Sequence, residues 1–230
     1  LYFPLFLLNC QTMKIFLDTS DVNVIRKYCE TGLIDGITTN PTLMKQEGRN
    51  PVEVISEISS LFSSDASISA EVVADSAKDM IIQAEQYHSI NKKVTIKVPC
   101  TYEGLKACKE LSDSTNIKVN VTLIFSLNQS ILAAKAGATY ISPFIGRCED
   151  NDIDGIDLIS SIRKVFNLNN ITKTHILAAS IRNVNHINDS YKAGADIVTL
   201  PPKIFEEMYK HVLTDQGLAQ FDKDWKELNK

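Results

Sequence analysis

The sequence predicts an α/β protein built as a single-domain (β/α)8 (TIM) barrel with an additional helix at its C-terminal end. Three observations predict it. From residue 13 onward, eight short apolar or alternating runs are separated by longer segments of helical period. No tract rich in Pro, Gly or Ser divides the 230 residues, and barrels of about this length commonly form one domain. Neither Gly-x-Gly-x-x-Gly nor Gly-x-x-x-x-Gly-Lys-Ser/Thr, the phosphate loops typical of the competing open doubly wound sheet, occurs in the chain.

The strand candidates, in order, are 14–18, 35–40, 68–73, 94–98, 117–122, 139–143, 175–180 and 196–200. The helical candidates that follow them are 21–31, 51–62, 77–90, 102–113, 126–136, 155–166, 184–192 and 202–211. Start signals support several of these: Asp21 or Ser20 before the first helix, Pro51 opening the second, Asp75 or Ser76 before the third and Asp154 before the sixth. Gly137 and Gly194, each in Ala-Gly-Ala, stand where a helix must stop before the next strand. Leu218, Phe221 and Trp225 recur at helical spacing in 215–228, which predicts the additional amphipathic helix. Residues 1–12 are apolar but lack the basic n-region and cleavage site of a signal peptide and are too short to span a bilayer. They are read as upstream or appended sequence, or as a short N-terminal extension, before a barrel over 13–230.

Composition narrows the partners. With 44% hydrophobic residues, the chain can bury one substantial core, and a formal charge of −4 with no run of five basic residues argues against a nucleic-acid or an anionic-membrane surface. The five cysteines, Cys10, Cys29, Cys100, Cys108 and Cys148, are scattered, with no Cys-x-x-Cys pair and no zinc-type cluster. They read as reduced thiols of a cytoplasmic protein. The four histidines do not cluster either, so no metal site is expected.

Side chains alternate across a strand, which sorts each run into helix-facing and axis-facing residues. Val94, Ile96 and Val98 form one apolar face, turning Thr95 and Lys97 inward. The same rule turns Asp18, Glu71, Asn120 and Thr122 inward, and also Asn40, Ser142 and Ser180, each near the C-terminal end of its strand. Barrel enzymes build their active sites at that end, from several strands. Seven strands therefore send polar groups to one mouth. An ammonium among apolar neighbours loses solvation that a neutral amine does not need, and a neutral amine can attack a carbonyl to form an imine. Two carboxylates could share the proton transfers such chemistry requires: Glu71 on a strand next to that of Lys97, and Asp18 further round. The alternative is a structural ion pair of Lys97 with Glu71 or Asp18.

Arginine is scarce, with five in the chain, and two follow strand ends: Arg147 after the sixth and Arg182 after the seventh. Both can reach the mouth as a fork around a phosphate, or stand as solvated loop charges.

The residues that carry this pattern are Leu17-Asp18-Thr19-Ser20, Gly36-Ile37-Thr38-Thr39-Asn40-Pro41-Thr42, Ser69-Ala70-Glu71-Val72, Ile96-Lys97-Val98-Pro99, Asn120-Val121-Thr122-Leu123-Ile124-Phe125, Ser142-Pro143-Phe144-Ile145-Gly146-Arg147 and Ala178-Ala179-Ser180-Ile181-Arg182. Taken in order, they resemble the transaldolase family, and most closely its small subgroup that also contains fructose-6-phosphate aldolase. The resemblance runs from about Met13 to the C-terminus.

It implies that Lys97 forms a Schiff base with a ketose phosphate, that Glu71 acts through a water held by Thr122, and that Asp18 moves the hydroxyl proton during C–C cleavage. Asn40, Asn120 and Ser142 would bind the dihydroxyacetone part, and Arg147, Ser180 and Arg182 the phosphate, with no cofactor. Glu71 and Phe144 resemble true transaldolases, where the aldolase carries Gln and Tyr. The resemblance further implies a homo-oligomer, a pentamer or decamer in which the C-terminal helix reaches a neighbouring subunit, with Leu218, Phe221 and Trp225 at the contact.

Overall fold

A computed structural model describes residues 13–62 and 66–228; the N-terminal extension read from residues 1–12 lies outside the described residues. The strands are β1 (Lys14–Asp18), β2 (Gly36–Thr38), β3 (Ser67–Glu71), β4 (Val94–Pro99), β5 (Val119–Ile124), β6 (Tyr140–Pro143), β7 (His175–Ala178) and β8 (Ile197–Leu200). All pair in parallel with their sequence neighbours, and β8 closes on β1, so the sheet is a complete barrel. The helices are α1 (Val22–Cys29), α2 (Pro41–Glu47), α3 (Pro51–Ser60), α4 (Ala77–Ile90), α5 (Tyr102–Ser114), α6 (Leu127–Lys135), α7 (Ile145–Glu149), α8 (Gly155–Leu168), α9 (Val184–Lys192), α10 (Pro202–Met208) and α11 (Val212–Leu228). This is the expected (β/α)8 barrel with one added C-terminal helix.

Hydrogen-bonded caps fix where the helices begin. Asp21 accepts from the Asn23 and Val24 amides, Ser76 from Asp79, and Asp154 from Ile156 and Asp157. Each such cap contributes about 1 kcal/mol by satisfying a donor that the helix itself leaves unpaired. Gly137 and Gly194 close α6 and α9 at φ +88° and +101°, a left-handed turn that glycine makes without steric cost.

Two short helices escaped the reading of the sequence. The second strand ends at Thr38 instead of running to Asn40, because the Asn40 side chain accepts from the Leu43 amide and starts α2 with Pro41 in its first turn. Likewise, α7 follows β6 almost at once, after Phe144, which makes no side-chain cap.

The barrel has two apolar regions. Leu17, Ile37, Ile68, Ile96, Val121 and Ile141, among others, face outward into the layer under the helices and are fully buried. Inside the barrel, Phe16, Tyr140, Leu177, Ala179 and Ile197 form a separate cluster, with Phe16 and Tyr140 in an edge-on contact at 6.2 Å. Gly36 makes this plug possible: a Cβ there would meet the Ser67 carbonyl oxygen and come within 2.9 Å of the Phe16 ring. The plug fills one end of the axis, and the polar residues occupy the other.

Candidate active site

Register brings the site together. Glu71 on β3 pairs with Lys97 on β4, and Lys97 in turn pairs with Asn120 on β5. Because paired residues in a parallel sheet point to the same side, all three side chains enter the barrel in adjacent positions. Lys97 Nζ lies 3.1 Å from Glu71 Oε2 and donates to the Thr39 carbonyl oxygen at 3.2 Å. Its side chain is only 6% exposed, so the amine is held by these two acceptors inside the wall of the barrel.

Asp18 approaches from β1. Thr38 Oγ1 donates to its Oδ1 at 2.8 Å and also lies 2.6 Å from Thr199 Oγ1 on β8. Enclosure by the barrel pushes the Asp18 carboxyl above the usual carboxylate range, against the opposing pull of Lys97 and the Thr38 hydrogen bond. On the other side of Lys97, Ser142 Oγ donates to Asn120 Oδ1 at 2.8 Å. Asn120 Nδ2 and Thr122 Oγ1 are buried without a hydrogen-bond partner among the described residues. Two unpaired polar atoms on β5, the strand that pairs with that of Lys97, suit a site that binds a polar molecule, since such atoms are otherwise costly to enclose.

These groups surround an axial cavity of about 130 Å³ lined by Asp18, Asn40, Lys97, Ser142, Phe144 and Arg147, with Thr38, Thr199, Ala179 and Ser180 completing the wall. Glu71 instead borders a groove of about 330 Å³ between α2, α3 and β3, so it stands between that groove and Lys97. Arg147 lies over the Phe144 ring, 5.0 Å from its centroid, and faces the cavity. Ser180 holds a left-handed backbone, φ +58°, unusual for a residue with a Cβ and a form of strain found at binding sites.

Arg182 is placed differently. Its guanidinium makes a two-pronged ion pair with Asp150, and it does not line the cavity. The Arg182 amide donates to His186 Nδ1, and His186 Nε2 lies 3.0 Å from Glu149, which ties the segment after β7 to the end of α7. Of the residues read from the sequence, Lys97, Asp18, Asn40, Ser142, Phe144, Arg147 and Ser180 share the cavity, Glu71 meets the amine and Asn120 is the register partner of Lys97, whereas Thr122 stands two residues further along β5 opposite Pro99 and Arg182 lies outside. Thr38 and Thr199 belong to the site and were not singled out; their inward parity, shared with Asn40 and Ile197, was the available signal.

A closed barrel whose plugged interior opens at the strand C-termini onto one lysine, two carboxylates and an arginine has the make-up of the (β/α)8 enzymes. Comparison with known proteins narrows this class. The profile of the family described as Transaldolase/Fructose-6-phosphate aldolase matches residues 15–230. A protein of Paracoccus denitrificans (strain Pd 1222) named "Probable transaldolase" is 53% identical over 213 residues, covering 93% of this chain and 96% of that protein. A protein of Caulobacter vibrioides (strain NA1000 / CB15N) with the same name is 52% identical over 213 residues, with the same coverage. The chain belongs to the transaldolase/fructose-6-phosphate aldolase family.

Solved structures add the fold. The flavin-binding domain of baker's yeast flavocytochrome b2 superposes with a TM-score of 0.59 at 12% identity, covering 84% of this chain and 57% of that one. Thiamine phosphate pyrophosphorylase from Pyrococcus furiosus does so at 0.57 and 17% identity, covering 81% and 85%. At these identities the likeness is one of barrel architecture.

Proposed function

We propose that the chain is a transaldolase, moving a dihydroxyacetone unit from sedoheptulose 7-phosphate or fructose 6-phosphate to glyceraldehyde 3-phosphate or erythrose 4-phosphate through a Schiff base at Lys97. The observation that carries this reading is the contact of Lys97 Nζ with Glu71 Oε2 at 3.1 Å, inside the barrel and beside the axial cavity. Glu71 can take the ammonium proton, leaving a free amine to add to the ketose C2 carbonyl. Loss of water from the carbinolamine then returns a proton through Glu71 and a water on Thr122, whose hydroxyl has no partner among the described residues.

Asp18 removes the proton of the C4 hydroxyl, the C3–C4 bond breaks, and its electron pair passes into the iminium to give an enamine. The aldehyde fragment leaves. An acceptor aldehyde takes its place, the enamine carbon forms the new bond, and Asp18 returns the proton to the new hydroxyl. Asn40, Asn120 and Ser142 bind the hydroxyl groups of the three-carbon unit, and Phe144 closes its side. Arg147 and Ser180 hold the phosphate, joined by Arg182 once it leaves Asp150. No cofactor takes part.

Transfer is favoured over simple aldolase release by Glu71 and Phe144, because Phe144 has no hydroxyl with which to protonate the enamine. Assays with and without erythrose 4-phosphate test this. The reading expects fast turnover of fructose 6-phosphate only with the acceptor; equal release of free dihydroxyacetone without it would make the protein an aldolase.

The reaction would serve the non-oxidative pentose phosphate pathway in the cytoplasm, a compartment consistent with the free thiols of Cys29, Cys100, Cys108 and Cys148. Among the described residues, no helix is long and apolar enough to cross a membrane. A homo-oligomer, pentamer or decamer, is proposed from α11, on which Leu218, Phe221 and Trp225 are 61–70% exposed.

A further inference from the structure

We propose that Thr199 is a positioning residue for the acid–base step, acting through Thr38 to set the direction of the hydrogen bonds that reach the Asp18 carboxyl group. This inference rests on the transaldolase reading and extends it to a residue on β8, the one strand to which that reading gives no part.

The Thr38 hydroxyl carries one proton and has two oxygen neighbours, Asp18 Oδ1 at 2.8 Å and Thr199 Oγ1 at 2.6 Å. Both threonines are buried, Thr38 to 2% exposure and Thr199 to 4%, and line the axial cavity beside Asp18. The three residues belong to β2, β1 and β8, neighbours in the closed barrel, which fixes their spacing through the backbone.

When Asp18 is ionised it accepts from Thr38, and Thr38 then accepts from Thr199. When Asp18 has taken the substrate proton, the carboxyl is neutral whichever oxygen carries it, and its bond with Thr38 loses the assistance of the charge. By donating to Thr38, Thr199 strengthens a charge-assisted bond while Asp18 is ionised and only a neutral one once it is protonated. Thr199 therefore favours the ionised, base-competent carboxylate.

The charged groups around this carboxyl are Lys97 from β4 and Arg147 from α7, with Glu71 of β3 beyond Lys97. The Thr199 hydroxyl is hydrogen-bonded to Thr38, not to any of these three groups, so its removal should leave their charges in place.

The variant Thr199→Val keeps the shape and removes the hydroxyl. The pH at which kcat falls to half on its acidic side should rise by about 0.5 to 1 unit, a 3- to 10-fold change in the acid constant. Thr199→Ser, which keeps the hydroxyl, should restore the wild-type limb. If Thr199→Val folds poorly, Thr199→Ala gives the same comparison against Thr199→Ser.

Borohydride trapping with fructose 6-phosphate, run on the same proteins, separates the two levels of the account. Adducts at Lys97 in wild type and variant, together with a displaced acidic limb, are the expected result. Adducts with an unmoved limb, or a limb that Ser does not restore, would overturn the role of Thr199 alone. Absence of an adduct in the wild-type chain would overturn the Schiff-base reading and this inference with it.

Discussion

Glu71 and Lys97 are register partners on adjacent parallel strands, and their side chains meet 3.1 Å apart inside the barrel. A buried pair of this kind costs desolvation that the mutual attraction only partly offsets, so a stabilising role alone accounts for it poorly. Replacing Lys97 by Met should abolish transfer, and the double variant Lys97→Met/Glu71→Leu, which leaves no unpaired buried charge, should keep or raise the melting temperature. A Tm loss of more than about 10 °C would assign the pair to holding the fold together.

Glu71→Gln keeps the volume and a hydrogen-bonding group but cannot take the amine proton. The variant should lose about 10² in kcat or more, the usual worth of a placed general base, and single-turnover mixing should show slow imine formation as the cause. Unchanged imine formation with slow later steps would move Glu71 to a different part of the cycle.

Asp18 yields a pH signature in stability. Its folded carboxyl is held above the ordinary value by burial, although Lys97 pulls the other way. An acid with a raised folded value binds more protons when folded. Stability is then fully present below about pH 3.9, the unfolded value, and is progressively lost as pH climbs through the folded one. Asp18→Asn should accordingly raise Tm at pH 7. The gain should vanish near pH 3, and activity should be lost. Thermal scans at the two pH values check this, and a gain that grows on acidification would reverse the sign assigned to burial.

Gly146 lets the start of α7 approach the segment after β7. An added Cβ would crowd the Ser180 carbonyl oxygen and come within 2.6 Å of Arg182 Nε. Gly146→Ala should displace Ser180 and Arg147 together, raising KM for phosphorylated donors by about tenfold and destabilising by about 1–3 kcal/mol. A variant with wild-type KM would show that these residues do not read the phosphate as a unit.

Arg147 and Arg182 should differ. Arg147 already faces the cavity, whereas Arg182 must first leave Asp150. KM for fructose 6-phosphate should therefore rise more in Arg147→Ala than in Arg182→Ala, and Asp150→Asn should lower it by freeing Arg182. Steady-state kinetics with phosphorylated and unphosphorylated ketoses decide the order, and equal effects on both sugars would remove phosphate recognition from either residue.

Strand parity made most of this site legible. Once Val94, Ile96 and Val98 are assigned outward, Lys97 has to face the axis, and the same logic placed Asp18, Glu71, Asn120 and Thr122. Parity says nothing of partners several positions away. Thr38 and Thr199 look like ordinary strand residues until closure of β8 on β1 brings them within 2.6 Å of each other. Nor could position after a strand foretell that Asp150, 32 residues upstream, would occupy the fork of Arg182. The short helix α2 was signalled by Asn40-Pro41, a cap and first-turn pair, but seven residues make too little apolar period to announce a helix.

The central claim is a covalent bond between Lys97 and a ketose carbon. Sodium borohydride reduction in the presence of fructose 6-phosphate, followed by peptide mass mapping, tests it directly. The account predicts one substrate-dependent secondary amine, on the peptide containing Lys97, and its disappearance in Lys97→Arg. An adduct on another lysine, or none under conditions where the sugar is turned over, would contradict it.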